Sequence, residues 1–280
     1  MVQRITISPQ QYQATDECID LQPDQVHYLL RVLRLKSGDR FIAQNGTGQQ
    51  WLAAIDDQAN KAQVLEVIAS TAASTPSIRL IAALPKGNSF DQVVRQTTEL
   101  GVTHIHPVMS DRTLLKPSAN KLERWRRIAQ EASEQSERTT VPEIYEPIAF
   151  QQCIKHPSWG DHAIGQSKST SGQTLHCICY ARGGLSPHRI NVESSTTTAS
   201  TDSPHLLTYL LRHQAQNPAS MDLPSIVLAI GPEGGWTAEE ITVAISNGYE
   251  TVSLGLAILR SVTAPIAALS LITASRELLI

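Results

Sequence analysis

The sequence predicts a two-part α/β protein: a small barrel-like β domain with one helix over residues 1–70, then a parallel sheet with helices on its faces over 78–280. Short β-type segments punctuated by turn signals fill the first part. From Ile78 onward apolar runs of strand length alternate with amphipathic helical runs, the pattern of strands covered by crossover helices. Between them "ASTAASTPS" is small and polar and reads as a linker over 71–77.

In the first part "RITI", "RFIAQ" before Asn45-Gly46, "WLAAI" and "AQVLEVI" are the strand candidates. "PDQVHYLLRVLRL" is its helix. In the second part "IRLIAAL" is a buried strand, "NSFDQVVRQTTELG" a helix and "VTHIHPV" the next strand. Asn88 or Ser89 is placed to cap that helix, and Gly101 to end it. "SANKLERWRRIAQEASEQSER" has the spacing of a long amphipathic helix whose Leu122, Trp125, Ile128, Ala129 and Ala132 face a core. "LHCICYA" is a further strand. The Ser/Thr-rich stretch near 188–204 is too polar to pack and reads as a surface insert.

Composition narrows the function. In 280 residues with 41% apolar content, no apolar run approaches the roughly 18 residues of a membrane span. The start, "MVQRITISPQ", lacks an apolar leader core, so the cytoplasm is the expected compartment. Four cysteines make no disulfide framework. His176, Cys177 and Cys179 lie on one strand with no second ligand pair, so no metal is expected. The formal charge of −3 carries no global basic signature, so a nucleic-acid partner requires local clusters. Two exist: Arg31, Arg34, Lys36 and Arg40, and then Arg112, Lys116, Lys121, Arg124, Arg126 and Arg127. Their placement points toward phosphates, although basic runs are often only solvated faces.

The most informative stretch is "IVLAIGPEGGWTAEEI", residues 226–241. An apolar strand runs into Gly231, Pro232, Glu233, Gly234 and Gly235, and Thr237 with Glu240 has the spacing of a capping box that opens a helix. Glycine lets backbone approach a ligand closely. The spacing matches neither the P-loop nor the dinucleotide fingerprint. A second glycine-marked strand end, Leu254-Gly255, leads through apolar Leu256, Ile258 and Leu259 and the charge of Arg260 into another helix near Thr263. Two such strand ends predict a cleft for a ligand that is part apolar and part polar.

"LPKGNSFDQVVRQTTELGV", "EASEQSERTTVPEI", "AIGPEGGWTAEEI" and "LGLAILRSVTAPIAAL", with "HYLLRVLRLKSGDRF" near the start, resemble the successive signature blocks of the bacterial 16S rRNA (uridine-N3) methyltransferases of the SPOUT superfamily. The resemblance covers nearly the whole chain. It implies an α/β SPOUT-type parallel sheet with a C-terminal trefoil knot, preceded by a PUA-like barrel. It also implies a homodimer, S-adenosyl-L-methionine as cofactor, and 16S rRNA or the small ribosomal subunit as partner.

By that resemblance Leu84, Ile230, Gly231, Gly234, Gly235, Leu254, Gly255, Ile258 and Leu259 bind the cofactor. Arg260, Arg138, Gln135 and Glu233 carry the catalytic expectation, and Arg31, Arg34, Lys36, Lys86 and Arg112 the RNA contacts. Glu131, Gln135 and Arg138, spaced four and three apart, are expected on one strip of the long helix. A solvated side-chain network is the other reading of that strip, and a helix-terminal charge the other reading of Glu233. Where the family has Pro-Arg this chain has Leu256-Ala257, and where it has Thr-Glu this chain has Ser261-Val262. Those changes leave two alternatives open: an RNA-binding protein of the same fold without catalysis, or an enzyme of the same fold acting on another RNA.

Overall fold

The computed structural model describes residues 2–58, 60–70, 76–113, 117–155, 174–180, 203–216 and 223–278. The linker's 71–75, Lys116, and all but the last two residues of the polar insert near 188–204 lie outside the described residues. The chain divides into two compact units, 1–75 with 129–141, and 76–128 with 142–280.

The first unit is built on six strands: β1 (Arg4–Thr6), β2 (Tyr12–Gln13), β3 (Cys18–Asp20), β4 (Arg40–Gln44), β5 (Gln49–Ile55) and β6 (Lys61–Ser70). They are ordered β1-β4-β5-β6-β3-β2, antiparallel except for the β1–β4 pair. Alternation sends Phe41, Ala43, Trp51, Ala53 and Ile55 inward, where they meet Ile5, Ile19 and Leu29. The turn at Asn45-Gly46 forms because Gly46 takes φ +72° while the Asn45 side-chain oxygen accepts the Thr47 and Gln49 N–H groups.

The single helix expected over 23–35 is shorter and of two kinds. Helix α1 (Pro23–His27) passes into a wider π-type turn, Tyr28–Val32, in which the Leu33 N–H donates to the Tyr28 carbonyl. The wide turn leaves Leu29 fully buried and Val32 exposed, and Arg34 at φ +59° ends it.

The segment 129–141 joins this unit through several bonds. Glu134 accepts the Thr6 N–H at 2.7 Å, Arg4 pairs with Glu137 at 2.8 Å, and the Val141 N–H reaches the Gly46 carbonyl at 2.9 Å.

The second unit carries β7 (Ile78–Ala83), β8 (His104–Met109), β9 (Glu143–Ile144), β10 (Ile148–Ala149), β11 (Thr174–Cys179), β12 (Ser225–Ile230) and β13 (Glu250–Val252). Every pairing is parallel, in the order β10-β8-β7-β12-β11-β13 with β9 on β8. The near-continuous apolar runs of β7 and β12 follow from burial on both faces. The helices are α2 (Phe90–Glu99), α3 (Ala119–Gln135, shared between the units), α4 (Phe150–Ile154), α5 (Leu206–Gln216), α6 (Ala238–Ser246) and α7 (Thr263–Glu277).

Residues of α4 and α6 pack with Ile81, Ala83, Val227 and Ala229 on one face of the sheet, while α7 packs on α2 and α5. The Arg276 guanidinium donates to the carbonyls of Pro76 and Pro224, which latches α7 beside the entries of β7 and β12. Cys177 lies inside this unit, and burial pushes its thiol up to about 12.

Two local expectations change. The side-chain cap expected from Asn88 or Ser89 is not made: Ser89 already has helical dihedrals (φ −63°, ψ −19°), and the turn is closed by backbone bonds from Asp91 and Gln92. The strip joining Gln135 to Arg138 does not form either, because α3 stops at Gln135 and Glu137 turns the chain at φ +60°. The Arg138 N–H then folds back to the Ser133 carbonyl.

Candidate active site

Parallel strands bring their C-terminal ends to one edge of the sheet, where ligands of such sheets bind. At this edge of the second unit lies a cleft of about 500 Å³, within the roughly 300–1,000 Å³ of small-molecule sites. The bend after β12 supplies one wall: Ile230, Gly231, Glu233, Gly234 and Gly235 line it. The loop after β13 supplies another, with Leu254, Gly255, Ile258 and Leu259. Arg112, on the loop after β8, also lines the cleft.

The glycines are required locally. Gly235 (φ +69°) and Gly255 (φ +118°) occupy the left-handed region that disfavours any side chain. At Gly231 the demand is space, since an added Cβ would stand 3.2 Å from the buried Trp236 ring, while at Gly234 it would meet the exposed Arg112 side chain, 3.1 Å from Cδ. The expected capping box is formed: Thr237 Oγ1 accepts the Glu240 N–H at 3.2 Å, and the Glu240 carboxylate accepts the Thr237 N–H at 2.8 Å.

Glu233 ties the edge together. One of its carboxylate oxygens accepts the Lys86 N–H at 3.3 Å and the Ser261 hydroxyl at 3.1 Å, linking the loops after β7, β12 and β13. Arg112 donates from its guanidinium to the Gly234 carbonyl. Among the described wall residues Arg112 is the one base and Glu233 the one acid. Apolar Ile258, Leu259 and Trp236 beside the backbone of the glycine bend suit a ligand that is part apolar and part polar.

Other expected site residues stand elsewhere. Leu84 is buried just past β7, its N–H bonded to the Val108 carbonyl, and is not on the cleft wall. Arg260 is exposed beside the wall residues Leu259 and Ser261, with no ion-pair partner among the described residues. Gln135 and Arg138 belong to the first unit. There burial lowers the Arg138 guanidinium to about 10, and it donates to Thr140 Oγ1 at 3.4 Å. Arg31, Arg34 and Lys36 are exposed on the same unit.

Sequence reasoning missed Cys179, Tyr180, Trp236 and Ser261 as wall residues. Trp236 had a signal, as the aromatic directly after the glycine bend. Cys179 and Tyr180 had none, because the pairing of β11 with β12 and β13 brings them there.

A family model described as an RNA methyltransferase domain matches residues 72–180 and 188–273, and one described as an RNA methyltransferase PUA domain matches 21–67. The ribosomal RNA small subunit methyltransferase E of Synechocystis sp. is 40% identical over 278 residues, covering 99% of this chain and 79% of that protein. The protein of the same name from Bacillus subtilis is 27% identical over 263 residues, covering 91% and 90%. The crystal structure of a ribosomal RNA small subunit methyltransferase E from Neisseria gonorrhoeae bound to S-adenosyl methionine is similar with a TM-score of 0.70, at 25% identity and 98% coverage of both chains.

Proposed function

The chain belongs to the RNA methyltransferase family, and from that premise we propose that it transfers a methyl group from S-adenosylmethionine to N3 of a uridine in 16S rRNA of the small ribosomal subunit. The observation that carries this reading is the cleft between two glycine-marked strand ends, in a chain similar throughout its length to small-subunit rRNA methyltransferases. A similar structure that holds S-adenosyl methionine supports the cofactor.

Backbone groups of Gly231, Gly234, Gly235 and Gly255 would hold the polar parts of the cofactor, and Ile230, Leu254, Ile258 and Leu259 its apolar part. When bound, the cofactor supplies a sulfonium methyl that is already electrophilic. The protein's task is then alignment, with the N3 proton released to water. Arg260 brings an unpaired charge from the cleft loop to the uracil oxygens and stabilises the anion that forms. Glu233 holds three loops in register around the reacting groups. Gln135 and Arg138 contact the target nucleotide. Arg31, Arg34 and Lys36 on the barrel, with Lys86 and Arg112, bind RNA phosphates.

The reading further includes a SPOUT-type knot at the loops after β12 and β13, a homodimer, and work in the cytoplasm. Purified protein incubated with methyl-labelled S-adenosylmethionine and 16S rRNA or small subunits should place label on one uridine, located by mass spectrometry. A strain lacking the gene should lose that modification; its persistence refutes the assignment. Gly234→Val, which thrusts a side chain at Arg112, should abolish cofactor binding in calorimetry while the fold persists.

A further inference from the structure

We propose that Glu240 is a positioning residue for this reaction: its buried carboxylate locks the loop after β8 onto the glycine bend and so sets where Arg112 stands in the cleft. The inference rests on the cleft being the methyl-transfer site.

Glu240 is 0% exposed, and no cation pairs with it among the described residues. A buried carboxylate persists only where hydrogen bonds replace its water. The helix cap accounts for one oxygen, which accepts the Thr237 N–H at 2.8 Å. The other oxygen points away from α6 and accepts the N–H of Asp111 at 3.0 Å, across 129 positions of sequence. The Thr237 hydroxyl donates in turn to the Asp111 carboxylate at 3.3 Å. Capping alone needs neither the second acceptor nor the burial.

The residue after Asp111 is Arg112, whose guanidinium is bonded to the Gly234 carbonyl. The loop is thus held at two successive residues, by Glu240 at its backbone and by Gly234 at its side chain. Releasing the first leaves the loop held by two exposed side-chain bonds, Arg112 to the Gly234 carbonyl and Thr237 to the Asp111 carboxylate.

Glu240→Gln keeps the volume and one acceptor but turns an N–H donor toward the Asp111 or the Thr237 N–H. Amide hydrogen exchange of the full-length protein is the first readout and needs no substrate. Exchange at 110–113 should quicken at least about tenfold, with the body of α6 still protected. Thr237→Ala serves as the cap control: it should lower the melting temperature and leave the Asp111 amide protected by Glu240.

The second readout is a double-mutant cycle on kcat/KM with rRNA as substrate. Glu240→Gln should cost about tenfold or more, the scale of a misplaced group, and should cost little further in an Arg112→Ala background. Unchanged Asp111 exchange, or two losses that simply add, overturns the proposal. Should Glu240→Gln not fold, Glu240→Asp, which keeps the charge and shortens the reach, is read in the same two ways. A wild-type protein inactive on rRNA would instead sink the functional reading, and the exchange result would still decide whether Glu240 holds the loop.

Discussion

The indole of Trp236 lies so close to the backbone of Gly231 that a Cβ at position 231 would stand 3.2 Å from both Cε2 and Nε1 of the ring. Trp236 has no room to retreat: it is 6% exposed and packs on Phe150 with ring centroids 4.1 Å apart. Gly231→Ala should therefore destabilise the second unit by about 1–3 kcal/mol, the range of an overpacked core, and lower affinity for S-adenosylmethionine. Trp236→Leu in the same chain should restore part of both. Denaturant unfolding and calorimetric titration measure the two effects; an alanine variant with wild-type values on both would show that the contact is not tight.

Arg260 and the barrel arginines should fail in different ways. Arg260→Ala should lower the single-turnover rate at saturating RNA and cofactor by about 10²-fold, the scale of one preorganised electrostatic group. Arg31→Ala with Arg34→Ala should instead raise the RNA dissociation constant and flatten its dependence on salt, with the saturated rate nearly unchanged. A full rate in Arg260→Ala under saturation would reduce that residue to shaping the loop.

Leu256 at 84%, Ile258 at 78% and Leu278 at 75% exposure leave apolar side chains in water beside the cleft loop and at the end of α7. Association of two copies would cover such groups. Sedimentation equilibrium at micromolar concentration should give the mass of a dimer, and Leu256→Asp with Leu278→Asp should shift it toward monomer. A wild-type monomer would contradict the homodimer.

Glu134 should make the first unit's stability depend on pH. Burial raises its carboxyl above the ordinary carboxylate range, against the opposing hydrogen bonds from Thr6 and Gln130. Because the folded value is the higher one, the folded state favours the protonated form. That contribution is complete below the unfolded value and is lost as pH rises through the higher folded value. Glu134→Gln keeps the acceptor for the Thr6 N–H and removes the titration. Its melting temperature relative to wild type should rise from pH 4 to pH 7, and a difference flat across that range would exclude the effect.

Local chemistry made much of the molecule legible from its sequence. Alternating apolar residues produced β4 and β5, continuous apolar runs produced β7 and β12, and Thr237 with Glu240 capped α6 where their spacing required. Gly235 and Gly255 stood out because a left-handed backbone excludes other residues, and that demand is set within a turn. The end of α3 was not legible, since nothing in "EQSER" announces that Glu137 will adopt φ +60° and carry Arg138 off the helix. Nor was the pairing of β12 with β7 and β11, which brings segments some 150 and 50 residues apart into one sheet.

The sequence by itself determined the strands β4, β5, β7 and β12, the cap of α6 and the glycine bends, because those depend on interactions within a few residues. Only the tertiary structure decided that Glu233 would join three loops, that Tyr180 and Trp236 would share a wall, and that Glu240 would reach Asp111. Each of these needs strands distant in the chain to lie side by side, and that order comes from burying the sheet's two faces together.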